Sequence, residues 1–293
     1  MTANLQAGEG WHGQLKLVYA DRLNSTQLIY NHHQAPLKVQ RPFYPEGEKV
    51  CHSVILHTAG GIVGGDLLSC DIHLQANAQA VMTTAAASKI YRSNGLIAKQ
   101  TINIQVETGA CLEWLPQETI VFDGGIYRQD LRVELADGAN FVGWEITRFG
   151  RSARGEKFYQ GEWRSHTEVW QNGIPLWIDR QWLPGSAAVF HSPHGLSGKP
   201  IVGSLVWLGS PVSLEIIATA RSLFTQHSQL TTQHSQLTTH HSLTGVTRLE
   251  NGFLCRYCGT STTEVRNWLT AVWQMLRMNF FHRGICIPRV WQI

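Results

Sequence analysis

A mainly β fold made of many short strands is what this sequence predicts, and three observations carry that reading. Apolar and polar residues alternate with a period of two over much of the stretch from Gln14 to about Ile178, the signature of strands with one buried face. Turn signals interrupt the alternation about every ten residues, the rhythm of a sandwich, a barrel or a β-solenoid. A single late segment carries the clear apolar stripe of a helix. Periodicity alone leaves the choice among the three β architectures open.

The elements follow in chain order. "HTAGGIVGGDLLSCDIHL", from His57 to Leu74, puts Gly60, Gly61, Gly64 and Gly65 into six residues. After them Leu68, Cys70, Ile72 and Leu74 alternate with Ser69, Asp71 and His73, so the stretch reads strand, glycine turn, acidic residue, strand. A phosphate-binding loop would need a Lys and a hydroxyl after the glycines. Asp66 stands there instead and would repel a phosphate. The pairs therefore predict a tight turn where backbone approaches a neighbour.

"TINIQVE" alternates Ile102, Ile104 and Val106 with Asn103, Gln105 and Glu107, and "LRVELADG" repeats the pattern with Leu131, Val133 and Leu135. Between them "ETGACLEWLPQETIVFDGG" holds two short strands divided by Pro116 and closed by Gly124-Gly125. "EVWQNGIPLWID" predicts a hairpin over Asn172-Gly173. Residues 184–212, rich in Gly, Pro and Ser, predict an extended loop, and "SLEIIATARSLFT" fits helix or strand. The tandem copies of TQHSQLT from Thr225 predict a polar loop over 225–241, low in hydrophobes. Its His227, His234, His240 and His241 also admit a metal-storage reading.

"GVTRLENGFLCRYCG" returns to strand. Its Cys255-x-x-Cys258 lacks the second pair of a zinc site and the βαβ context of a redox site. Ser261 and Glu264 then form a capping box, and Val265, Trp268, Leu269, Val272 and Leu276 make the stripe of a helix over about 262–279. The domain organisation predicted is one unit over 1–293, with β regions at about 11–215 and 245–258.

Composition narrows the function classes. The 43% hydrophobic content suffices for a large core, and a net charge of +3 without a dense Lys/Arg run does not predict nucleic-acid binding. No stretch reaches membrane-span length, so no membrane role is expected. The N-terminus lacks the apolar core of a signal peptide, which predicts a cytoplasmic protein with its six Cys as reduced thiols. Eleven Trp exceed an ordinary share, and large aromatics beyond the needs of a core favour interfaces.

No catalytic signature is found: no G-x-S-x-G, no H-E-x-x-H and no flanked nucleophilic Cys. The β region supplies instead Asp66, Thr83, Thr84, Ser88, Lys89, Arg92, Glu118, Asp123, Glu145 and Arg148 at strand ends and turns. Carboxylates recurring about once per strand-turn unit would form a column of oxygen ligands if the units stack. Ordinary solvated turn residues give the same spacing.

Four motifs in order decide more than spacing does. "HTAGGIVGGDLL", "TTAAASKIYRS", "EWLPQETIVFDGG" and the closing "W..LR" with "IPRVW" resemble the UreD (UreH) family of urease accessory proteins over nearly the whole chain. Thr58-Ala59 stand where that family usually has two prolines. The resemblance implies a right-handed β-helical stack with helices near the C-terminus. It implies a non-enzymatic, cytoplasmic chaperone that binds the urease apoprotein and a helical partner, UreF, and through it the GTPase UreG.

It also implies no permanent cofactor, only Ni²⁺ in transit through an internal passage. Matching motifs make Asp66, Glu118, Asp123 and Glu145 candidates for that passage. Gly60, Gly61, Gly64, Gly65, Lys89, Tyr91, Arg92, Trp273 and Arg277 are the corresponding interface or structural candidates. A conduit must release its ion, so scattered carboxylates suit it better than a gripping His/Cys cluster. His57 and His73 beside the glycines could add transient ligands. The alternatives are a carbohydrate-active β-helix enzyme and a metal store built on the His repeat.

Overall fold

The computed structural model describes residues 10–232 and 242–291. Strand accounts for 49% and helix for 16%, and the strands coil into a β-solenoid of about four turns with a helix near the C-terminus. The chain opens with β1 (His12–Arg22), β2 (Ser25–Gln34), β3 (Leu37–Val39) and β4 (Val50–His57). It then swings repeatedly between two facing sheets through β5 (Leu67–Leu74), β6 (Gln79–Thr84), β7 (Ser88–Ile90), β8 (Ala98–Val106) and β9 (Cys111–Trp114). β10 (Thr119–Val121), β11 (Ile126–Leu135), β12 (Asn140–Phe149) and β13 (Glu162–Gln171) continue the coil.

In the first sheet β1, β5, β8, β11 and β13 lie parallel in that order. In the second, β4, β6, β9 and β12 do the same. Short β7 and β10 line one corner, where they pair with each other and β10 also pairs with the end of β12. Each rung thus lends its open edge to the next, which leaves every internal rung paired on both sides.

Antiparallel strands finish the sheets. β14 (Ile174–Pro184) turns back on β13 across Asn172-Gly173, whose φ of +51° and +77° are those of the predicted hairpin turn. β15 (Ile201–Leu208), β16 (Leu243–Leu249) and β17 (Gly252–Gly259) extend the second sheet beyond β12. Among the described residues three α-helices complete the fold: α1 (Ala187–His191), α2 (Leu214–Thr232) and α3 (Thr262–Phe281). As predicted, Ser261 caps α3 by accepting from the Glu264 amide.

The structure departs from two expectations. The loop expected over 184–212 contains α1 and β15. "IVGSLVWL" does not alternate because it is covered on both faces, by the first sheet and by the helices. The polar loop expected over 225–241 begins as helix, since α2 runs to Thr232. No Gly or Pro interrupts the helix at Thr225. His234, His240 and His241 lie outside the described residues.

Two cores result. Leu17, Ile72, Ile104, Val133 and Val169 stack rung upon rung between the sheets. Outside the second sheet, Trp144, Ile146, Leu205 and Trp207 meet Val265, Trp268, Leu269, Val272 and Trp273 of α3. Most of the tryptophans therefore fill the interior. Burying one such side chain contributes roughly 2–3 kcal/mol, so the α3 stripe alone anchors the helix firmly.

Candidate functional site

The inner face of the first sheet changes character along its strands. One pair of residues toward the strand starts from the Leu17–Val169 stack, the inward positions are Leu15, Cys70, Ile102, Leu131 and Thr167. One pair further they are Leu68, Gln100, Gln129 and Ser165, with Gln181 of β14 opposite Ser165. Because the rungs are in register, the polar side chains form a lane that crosses the strands and follows the axis of the coil. From the facing sheet Thr84, Glu145 and Ser204 complete the lane.

Three cavities lie along it. One of about 250 Å³ opens beside the glycine turn and is lined by His57, Gly60, Gly61, Thr84, Ser88, Lys89 and Gln100. An internal one of about 50 Å³ shares Ile55, Thr84, Ser88 and Gln100 with it and continues past Gln129 and Thr167 to Glu145 and Ser204. That is room for about three or four water molecules; its wall is mostly apolar, with Ile102, Leu131, Phe141, Trp144 and Val206 beside the polar groups. The third, about 320 Å³, shares Glu145 and Ser204 and opens by Gln181, Arg256 and Cys258. The shared walls make the three a series.

Glu145 stands between the inner and third cavities. It accepts from Ser165 Oγ at 2.7 Å and Thr147 Oγ1 at 3.2 Å. Burial pushes its carboxyl above the usual range, the two hydroxyls oppose that, Asp179 adds to it and Arg256 subtracts. Glu145 is half-buried and lines both cavities. Arg256 is itself bound to Asp179 at 2.8 Å, so the far opening presents a paired charge rather than a bare cation.

The other candidate carboxylates are placed elsewhere. Asp66 is fully buried and accepts from the backbone N–H of Trp11 at 2.8 Å and of Val63 at 2.9 Å, which fixes the glycine turn. Glu118 pairs with Arg266 of α3, on the outer side of the second sheet. Asp123 accepts from the amides of Tyr159 and Gln160 at 2.7 and 2.8 Å and pairs with Arg92 at 3.1 Å. Each carboxylate is engaged where it stands, and the structure does not bring the four together.

Gly61 and Gly64 approach the next rung as the sequence predicts, whereas a Cβ on Gly60 would meet nothing within 4 Å. A Cβ on Gly61 would fall 2.3 Å from the Tyr91 ring, and one on Gly64 2.5 Å from Ser93 Oγ, while Gly65 has φ +94°. Tyr91 returns the contact by donating to the Gly60 carbonyl at 3.2 Å. Lys89 and Arg92 are exposed at this end. His57 lines the first cavity, whereas His73 binds Glu107 at 2.6 Å on the outer face of the first sheet.

Trp273 and Arg277 are buried, at 0% and 1% exposure, and belong to packing rather than to a free surface. Trp273 donates to Glu113, and Arg277 pairs with Glu46 and lies 3.3 Å from Glu113. Burial raises the Glu113 carboxyl, against the pull of Arg277, Trp273 and Arg283. No helix of the described residues is long and apolar enough to cross a membrane.

The comparisons agree over the whole length. The family model described as UreD urease accessory protein matches residues 12–292. A protein of Trichormus variabilis named urease accessory protein UreD is 74% identical over 292 residues, covering 100% of both chains. One of the same name from Nostoc sp. strain PCC 7120 is 75% identical over 284 residues, 97% of each chain. Another from Methylobacillus flagellatus is 38% identical over 285 residues, 97% of this chain and 95% of its own.

Proposed function

Since the chain belongs to the UreD urease accessory protein family, we propose that it acts in urease maturation as a non-catalytic scaffold whose interior passes Ni²⁺ toward the urease apoprotein. The single observation that supports conduction is the polar lane through the coil, with Glu145 on it. Gln, Ser and Thr oxygens and a single carboxylate, spaced along a hydrated path, hold a divalent ion weakly at several points and release it.

Docking partners are proposed on the resemblance: the urease apoprotein, a helical UreF-like protein, and through it a UreG-like GTPase that delivers the ion. The ends of the lane suit protein contact. Trp11, Val63, Leu67, Leu96 and Ile97 are exposed around the glycine turn, a cluster of apolar side chains that favours burial against a partner. Nothing in this reading requires the chain to turn over a substrate.

The test is reconstitution. Urease apoprotein, the two partner proteins, GTP, bicarbonate and Ni²⁺ are mixed with and without this chain, and urease nickel content is measured. Activation that depends on this chain is expected. Failure of this chain to capture either urease apoprotein or the UreF-like protein would overturn the scaffold role.

A further inference from the structure

A second group of donor atoms lies outside the lane. Glu46 sits in the loop between β3 and β4, His52 on β4, and Cys286 in the tail beyond α3. One ligand atom from each lies within 4.8 Å of the other two. None of the three lines the interior cavities. The alternation of β4 explains this. Cys51 and Ile55 point between the sheets, so His52 points outward, under the returning tail.

The donors are already oriented. His52 is completely buried, and its Nε2 faces Glu46 Oε1 at 2.6 Å, while its Nδ1 has no partner among the described residues. Glu46 turns its other oxygen to Arg277. Arg277 shares its charge with Glu113, which also meets Arg283 at 3.4 Å. Glu46 is therefore held by a charge-balanced outer layer, as metal-binding carboxylates commonly are, and its other oxygen lies against His52, where an ion would take the place of their hydrogen bond. Cys286 is a free, half-buried thiol.

We propose that Glu46, His52 and Cys286 bind one divalent transition-metal ion of the Zn²⁺ or Ni²⁺ class. Imidazole nitrogen, thiolate sulfur and carboxylate oxygen together select such ions over Mg²⁺ or Ca²⁺. Binding forms the metal–sulfur bond as the thiol proton leaves to solvent, and a water fills the fourth position of a tetrahedral site. Such a set grips its ion, so its role is to clip the tail to β4 rather than to pass cargo. Joining positions 46 and 286 closes a loop of about 240 of the 293 residues. The inference stands independently of the conduction reading.

The experiment uses the full-length chain stripped with a chelator and titrated with Co²⁺, then Zn²⁺ or Ni²⁺. Expected is a thiolate-to-cobalt charge-transfer band that saturates at one ion per chain and is displaced by Zn²⁺. Cys286→Ser abolishes the band, and Cys258→Ser leaves it intact. The histidines of 225–241 cannot produce it, since that segment contains no sulfur. Zn²⁺ should also raise the unfolding midpoint of the parent chain and not of Cys286→Ser, which remains half-exposed and foldable. Absence of the band, or its survival in Cys286→Ser, overturns the site and leaves a hydrogen-bonded cluster.

Discussion

Glu145→Gln isolates the charge on the polar lane. Glutamine keeps the length and planarity of the side chain; its one oxygen accepts from Ser165 or Thr147 while its amide donates to the other hydroxyl, which can turn to accept, so the chief change is loss of the negative charge. At about 5 Å, the span of a water-bridged pair, a carboxylate attracts a divalent ion by about 7 kcal/mol at an effective dielectric near 20. Ion desolvation offsets much of this, yet a remainder of about 1.4 kcal/mol already changes a rate tenfold. The variant should assemble with its partners and load nickel into urease at least tenfold more slowly under single-turnover conditions.

Stability should move the other way. Because burial raises the Glu145 carboxyl, the folded state favours the protonated form. Its contribution is fully present below the unfolded pKa, about 4.3, and is lost as pH rises through the higher folded value. Urea unfolding should therefore show Glu145→Gln equal to the parent in acid and more stable near pH 8. A variant that loads nickel at the parental rate would refute the placement of this charge on the ion's path, and one that loses stability at pH 8 would refute the raised carboxyl.

Other substitutions probe the frame around the lane. Asp66→Ala leaves the amides of Trp11 and Val63 without their acceptor. It should lower the unfolding free energy by about 2–4 kcal/mol in a denaturant titration, a structural effect rather than one on ion transfer. Gly61→Ala drives a methyl into Tyr91 and should lower the melting temperature, with partial recovery on adding Tyr91→Ala. Arg277→Met strips the half-buried Glu46 and the buried Glu113 of a shared partner and should cost about 3–5 kcal/mol, read by chemical denaturation.

Much of the frame was legible because the inner faces alternate strictly. Ile102, Ile104 and Val106 predict their strand, Asn172-Gly173 its hairpin, and Ser261 with Glu264 the start of α3. β15 escaped because burial on both faces erases alternation, and α2 because a polar repeat disguises a continuing helix. Acids are common at turns, and Asp66, Glu118 and Asp123 serve turn amides or arginines there. Glu145 alone sits inside a strand.

The lane itself had left a signal. Gln100 shares the parity of Ile102, Gln129 that of Leu131, and Ser165 that of Val169. Each is a polar residue at an inward position, at the same register in successive rungs. One such residue is unremarkable in a strand; a series of them becomes visible only once the rungs are known to stack. The Glu46–His52–Cys286 group carried no such trace, since the tail folding back over β4 is a tertiary event.

Plugging the coil tests conduction most directly. Ser204 is 8% exposed and forms part of the wall shared by the inner and third cavities, so Ser204→Phe should fill the junction while Ser204→Ala leaves it open. With both variants assembled on urease apoprotein and its partners, nickel per urease active site is then followed over time. The account predicts near-parental loading by Ser204→Ala and at least a tenfold slower loading by Ser204→Phe. Parental loading through the plugged scaffold would contradict it.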